Sequence, residues 1–147
     1  LYQRSGGKSR GFRRLSREGM GMNAAIERMI VEGMVIKRKR ERALFELSHP
    51  QKRDHFLWHI EQYLEPSFFH RIIVDGPEDA YPLLKERGAP EDCYILSLYK
   101  DMDGTFVPLR QAMTWEGILY ADFISCIPGQ LAYWHGEEGD HYLLYSD

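Results

Sequence analysis

Two aspartates one residue apart, Asp101 and Asp103, and two histidine pairs, His55 with His59 and His135 with His141, are the side chains of this 147-residue chain whose spacing could support chemistry. Neighbouring carboxylates can divide the work of nucleophile and general acid, or hold a divalent cation. Histidines at i and i+4 on a helix bring two imidazoles to one face, the spacing that chelates a metal. His135 and His141 flank a five-residue loop containing Glu137, Glu138 and Asp140, a mixed nitrogen and oxygen set for a divalent ion if the loop closes a hairpin. Each arrangement also has an ordinary structural reading. Asp103-Gly104 suits a tight turn between two strands, because Gly supplies a positive φ. His55 and His59 flank an apolar stripe, where histidines commonly mark a packing boundary. An acidic hairpin loop is commonly just solvated.

The stretch Asp101-Met102-Asp103-Gly104-Thr105 follows the apolar run Tyr94–Tyr99. It resembles the first motif of the haloacid-dehalogenase-type phosphatases, in which a DxDGT sequence ends a buried strand. The resemblance implies Asp101 as nucleophile and Asp103 as general acid in a metal-dependent phosphoryl transfer. The context opposes it. Such a nucleophile needs a cation, further acidic ligands and a Lys or Arg on the phosphate, supplied from strands downstream. Only 42 residues follow Thr105, with no Lys and one Arg, Arg110, and Lys100 stands where the family has an apolar strand residue. The turn is the preferred reading. No residue is assigned as catalytic, and a metal-dependent hydrolase using Asp101 and Asp103 or a histidine pair is kept as the alternative function.

The net charge of −3 hides a division. Residues 1–42 hold twelve Lys/Arg against four Glu, a balance of +8, while residues 43–147 hold seven against eighteen acids, a balance of −11. A nucleic-acid arm on an acidic body is one interpretation. The run Lys37-Arg38-Lys39-Arg40-Glu41-Arg42 would carry it. Consecutive helical residues point all round, and the acidic remainder repels phosphate, so pairing within the chain is preferred and nucleic acid is not expected. No apolar run approaches the ~18 residues of a membrane span. Cys93 and Cys126 lie in apolar, strand-like runs without CxxC spacing, which suggests reduced thiols in a cytosolic protein, with a disulfide only if those strands are neighbours. No cofactor is expected.

The elements that must position these residues change period along the chain. Residues 1–21 are basic, Gly-rich and nearly devoid of apolar periodicity, so disorder is expected there. Part of residues 1–33 is expected not to be native, with Met20, Met22 and Met34 as alternative starts. From Asn23, a fair N-cap, helical spacing carries Ile26, Met29 and Ile30. A second helical run extends through the cations to Pro50. Phe56, Leu57, Ile60, Tyr63 and Leu64 then define an amphipathic helix ended by Pro66. The strand-like segment 70–75, a short helix opened by Pro77 and the strand 93–99 suggest a β-α-β unit with parallel pairing. Residues 109–120 read as helical. Pro128-Gly129 reads as a type II turn, and the segments 123–127, 130–135 and 141–145 as antiparallel hairpins.

The expected fold is therefore α+β: one domain over residues 22–147, with a helical hairpin at 22–66 packed on a mixed sheet at 70–147. The aromatic residues of the last third stand on both faces of the expected hairpins, with Tyr133, Trp134 and Tyr142 as candidate binding anchors. The preferred function is a non-catalytic protein-interaction or regulatory domain, acting on a protein partner or a second copy of itself.

Overall fold

The structure, a computed structural model, describes residues 23–147; the expectations for the basic tail and the alternative starts lie outside the described residues, apart from Met34. It is an α+β fold. The helices are α1 (Ala24–Met34), α2 (Arg40–Ser48), α3 (Pro50–Trp58), α4 (Ile60–Tyr63), α5 (Pro77–Glu86), α6 (Leu109–Ala112) and α7 (Trp115–Leu119). The strands are β1 (Phe69–Ile72), β2 (Asp92–Leu96), β3 (Thr105–Pro108), β4 (Phe123–Ile127), β5 (Leu131–His135) and β6 (His141–Leu144). No helix among the described residues is long and apolar enough to cross a membrane.

The strands form one sheet in the order β1-β6-β5-β4-β2-β3. Every neighbouring pair is antiparallel, which corrects the expected mixed sheet. β1 pairs with β6, Phe69 opposite Leu144, and not with β2. Three strands separate β1 from β2, so the helix between them carries the chain across the sheet instead of joining neighbours. A short β-branched strand records that it pairs, not with whom. The β4–β5 and β5–β6 hairpins form as their turn residues require, with Gly129 at φ 78° and Gly139 at φ 95°.

Alternation along the strands supplies two cores. Tyr94, Leu96, Phe123, Ala132 and Leu144 face α1–α4. Cys93, Ile95, Ile124, Cys126, Leu131, Tyr133 and Leu143 face α5–α7. A helical layer therefore covers each face, which accounts for the aromatic residues on both. The first layer departs from a simple hairpin. The expected second run begins as an isolated bridge, Val35 to Leu64, and a 3-10 turn, so α2 starts only at Arg40. The amphipathic helix breaks at His59, whose N–H is shared between the carbonyls of His55 (3.2 Å) and Phe56 (3.1 Å). Its apolar stripe is nevertheless buried as the spacing implies, with Phe56, Leu57, Ile60, Tyr63 and Leu64 all in the core. In the second layer a break at Met113-Thr114 divides the expected 109–120 helix, and the Thr114 hydroxyl accepts from the Gly117 N–H at 2.9 Å to cap α7.

One close crossing seats α1. A Cβ on Gly33 would lie 2.3 Å from the Gly129 carbonyl oxygen, and one on Gly129 would lie 2.4 Å from that of Met29. Only glycine at both positions lets the helix backbone rest directly on the β4–β5 turn.

Candidate functional site

Asp103 is inside the protein. The β2–β3 connection winds through residues 97–104, and Gly104, at φ 75°, returns its N–H to the Ile95 carbonyl at 2.8 Å. This is the predicted turn, but longer than a two-residue hairpin. It turns Asp103 inward, to 4% exposure. There Oδ2 accepts from Arg53 Nε at 2.6 Å, while Oδ1 accepts from Arg53 Nη2 at 3.2 Å and from the Ser97 N–H at 3.0 Å. Asp101 stays on the exposed side of the same turn, so the two carboxylates are not brought to one site.

Arg53 and Glu27 are the partners that sequence reasoning missed. Arg53 Nη1 donates to Glu27 Oε1 at 2.8 Å and to the Leu47 carbonyl at 3.0 Å, and Nη2 donates to Glu27 Oε2 at 2.5 Å. Together with the bonds to Asp103 this uses all five guanidinium N–H groups. The Tyr94 hydroxyl donates to Glu27 Oε2 at 2.5 Å and accepts the Asn23 N–H at 3.1 Å. Burial works against the Arg53 cation, but the hydrogen bonds and charges of Glu27 and Asp103 outweigh it and hold the guanidinium above its ordinary pKa. Burial, then the Glu27 charge, raises the Tyr94 phenol. One cation between two carboxylates, with every guanidinium donor used and every carboxylate oxygen accepting at least one hydrogen bond, is a network that joins α1, α3, β2 and the 97–104 turn. The signal was phase: Glu27 falls on the stripe of Ile30, Val31 and Met34, and Arg53 on that of Phe56, Leu57 and Ile60. Opposite charges in register with two core stripes announce a buried pair.

The histidine pairs are also drawn into packing. His55 and His59 pack against each other with their rings tilted by 39° and centroids 4.5 Å apart. His55 Nδ1 lies 3.0 Å from Glu46 Oε2, and His59 Nδ1 lies 3.0 Å from the His55 carbonyl. Glu46, buried and unforeseen, also accepts from Tyr63 at 2.8 Å and from Arg42 at 3.2 Å. Its burial favours the neutral acid, but bonds from His55 and Tyr63 with the charges of His55 and Arg42 win, holding the carboxyl below its usual range. His135 and His141 do face each other across the β5–β6 hairpin, with ring centroids 4.9 Å apart. His141 Nδ1 shares a hydrogen bond with the Tyr133 hydroxyl at 2.6 Å. Burial depresses both imidazoles, with the second histidine adding to the effect on His135. Asp140 turns instead to Arg71 at 3.0 Å. Among the described residues no group of three or more His, Cys, Asp or Glu side chains could hold a metal.

Cys93 and Cys126 are free and buried. Their strands are neighbours, and one further step of the Tyr94–Ser125 register sets the two opposite. Burial pushes the Cys126 thiol up to about 12 and Cys93 well above its ordinary value. Neither is a nucleophile at neutral pH.

An open concavity among the described residues lies elsewhere, where β2 and β5 end, β4 begins, and the two helical layers part. It is a groove of roughly 630 Å³ between α3–α4, which contribute Leu57, Trp58, Ile60 and Glu61, and α7, which contributes Trp115, Glu116, Ile118 and Leu119. Leu98, Asp122, Trp134, His135 and Glu137 complete its walls. Three of the large apolar side chains left in solvent stand here: Trp58 at 73% exposure, Leu119 at 68% and Trp115 at 52%. Asp122 is fixed by the Leu98 N–H at 2.6 Å, and burial raises its carboxyl. Of the expected anchors only Trp134 lines this groove. Tyr133 is 1% exposed and is core, so it is removed from any binding surface, and Tyr142 packs edge-on against Phe69. Trp115 belongs to the aromatic excess of the last third but is not among the expected anchors, and Trp58 is not singled out by the sequence, because nothing local distinguishes an exposed indole from a buried one. No protein-family model, no curated protein and no solved structure matches this chain.

Proposed function

We propose that this is a non-catalytic protein-interaction domain that receives a segment of a partner in the groove between α3–α4 and α7. The observation that carries the reading is the convergence of Trp58, Trp115 and Leu119, largely solvent-exposed, on one concave surface with Trp134 behind them. Exposed aromatic anchors clustered around a groove are what interfaces use, whereas scattered apolar residues need no explanation. Two of the groups that could have done acid–base or metal chemistry have other employment: Asp103 holds Arg53, and His141 holds Tyr133. This weighs against the metal-dependent hydrolase, in which Asp101 and Asp103 would act together.

A photo-cross-linking residue at position 119 in the full chain tests the reading inside the producing cell. We expect one discrete adduct, whose partner binds again when both proteins are purified. The adduct and the reconstituted binding should both vanish in Trp58→Ala/Trp115→Ala. A Mg²⁺- or Mn²⁺-dependent phosphatase activity that is lost in Asp101→Asn would overturn it.

A further inference from the structure

We infer that the segment taken by this groove is basic: a stretch of another protein that lays Arg or Lys side chains over the indoles of Trp58 and Trp115, between the carboxylates of Glu61, Glu116 and Glu137. The inference rests on the interaction reading above and adds the chemistry of the occupant.

Charge is the first support. Among the described residues the groove is lined by four carboxylates, those of Glu61, Glu116, Asp122 and Glu137, and by no Lys or Arg. Asp122 is committed to the Leu98 N–H, but among the described residues Glu61, Glu116 and Glu137 make no ion pair and no side-chain hydrogen bond. Some surface acids elsewhere are paired, as in Lys100 with Asp54 at 2.9 Å and Arg71 with Asp140 at 3.0 Å, and others are not; what sets the groove apart is that three such acids converge on one concavity. Carboxylates converging on a low-dielectric concavity focus a negative potential there, which attracts a cation and repels an acid. The acidic part of a second copy of this chain is disfavoured as the occupant, because residues 43–147 carry eighteen acids against seven cations.

The aromatic groups are the second support. Indole faces are the strongest aromatic partners for a cation, and guanidinium stacks on them especially well. The chain already uses this contact where it has a cation to spare: Arg87 lies 3.5 Å from the ring centre of Tyr145, and Arg110 lies 4.5 Å from that of Tyr81. Among the described residues the groove tryptophans have no such cation. An indole beside an unpaired carboxylate is what an arginine-bearing segment needs, with apolar neighbours in that segment packing on Leu119 and Ile118.

The chain contains three tryptophans, Trp58, Trp115 and Trp134, and all line the groove, so tryptophan fluorescence, excited selectively over that of the nine tyrosines, reports from this surface. The test titrates the full chain with a synthetic ten-residue peptide of alternating Arg and Leu, and with the same peptide in which every Arg is citrulline, isosteric but neutral. Expected is a saturable fluorescence change with the Arg peptide. Its affinity should fall about tenfold or more with citrulline, with Glu61→Gln/Glu116→Gln/Glu137→Gln, and between 50 and 500 mM salt, each condition removing several screened ion pairs. Equal binding of both peptides would overturn the basic occupant and leave the groove reading standing. No response to either peptide, or binding that survives both the triple Gln variant and Trp115→Ala, would overturn this inference, while the cross-linking experiment still judges the groove. A full chain whose fluorescence shifts without added peptide when Arg10, Arg13 and Arg14 are changed to Glu would show its own N-terminal residues as the occupant, and would overturn a partner in trans.

Discussion

The Glu27–Arg53–Asp103 network and the Trp58–Trp115 groove treat their side chains in opposite ways. In the network, charged groups that look chemically capable are about 4–5% exposed and every donor of the central guanidinium is used. In the groove, side chains that look like core stand in water beside carboxylates without a partner. Binding capacity is what remains unsatisfied after folding. Residue type alone says little about it, because the same carboxylate is a structural strut at Asp103 and a spare acceptor at Glu116. The contrast also assigns each region its expected response to mutation: the network should fail in stability, the groove in association.

The sharpest way to break that contrast is Arg53→Met, which leaves Glu27 and Asp103 buried and unpaired. We expect a loss of about 3–5 kcal/mol in urea unfolding. Arg53→Lys should recover little of it, since one ammonium cannot span two carboxylates as the planar fork does. A loss below about 1 kcal/mol would place the network's residues on the functional side of the comparison. Next comes Trp58→Ala/Trp115→Ala, which should cost about 2 kcal/mol or more in partner binding. The same double variant should alter unfolding by no more than about 0.5 kcal/mol per site, as befits exposed positions.

Gly129→Ala acts between the two regions. The added Cβ meets the Met29 carbonyl and lifts α1, the helix that delivers Glu27 to Arg53. A loss of about 1–3 kcal/mol is expected in thermal or urea unfolding, from the clash and from the positive φ together. Acid should weaken the groove end. His135 and His141 have folded pKa values below the ordinary 6.5, so the unfolded chain binds protons first as pH falls. Their stabilising contribution is complete above pH 6.5 and is lost as pH falls through their folded values. Urea midpoints at pH 7.5 and 5.5 should differ less in His135→Asn/His141→Asn than in the parent. Asp140 and Tyr133, which face these rings, remain in both proteins. The smallest effect is expected from Lys37→Gln/Lys39→Gln/Arg40→Gln. Lys39 donates to the Gln62 carbonyl at 2.8 Å, Arg40 to that of Val35 at 3.0 Å and Arg42 to Glu46 at 3.2 Å, so the cation run is tied within its own helical layer. About 0.2–1 kcal/mol per cation is expected, shrinking with salt.

Much of the local structure was legible. Asn23 accepts the Ile26 N–H at 3.1 Å as an N-cap, Pro77 opens α5, and Gly104, Gly129 and Gly139 turn the chain with positive φ. The stripe from Phe56 to Leu64 is buried throughout, although the helix beneath it breaks, because burial depends on which side of the axis a residue occupies and a single tightened turn barely moves it. The candidate site was less legible. Asp103, His55, His135 and His141 were singled out by type, yet their roles depend on Arg53, Glu46 and Tyr133, which come from distant segments or the opposite element.

Amino-acid order by itself determined what short-range sterics and hydrogen bonding can decide: the caps, the turns, the apolar faces of helices and the alternation that fills both sides of the sheet. Only the tertiary structure decided that β1 pairs with β6 and not β2, that Arg53 meets Glu27 and Asp103 across 26 and 50 residues of chain, and that three tryptophans line one groove. Pairings of that range are chosen by the joint packing of all the elements, so no local window contains them.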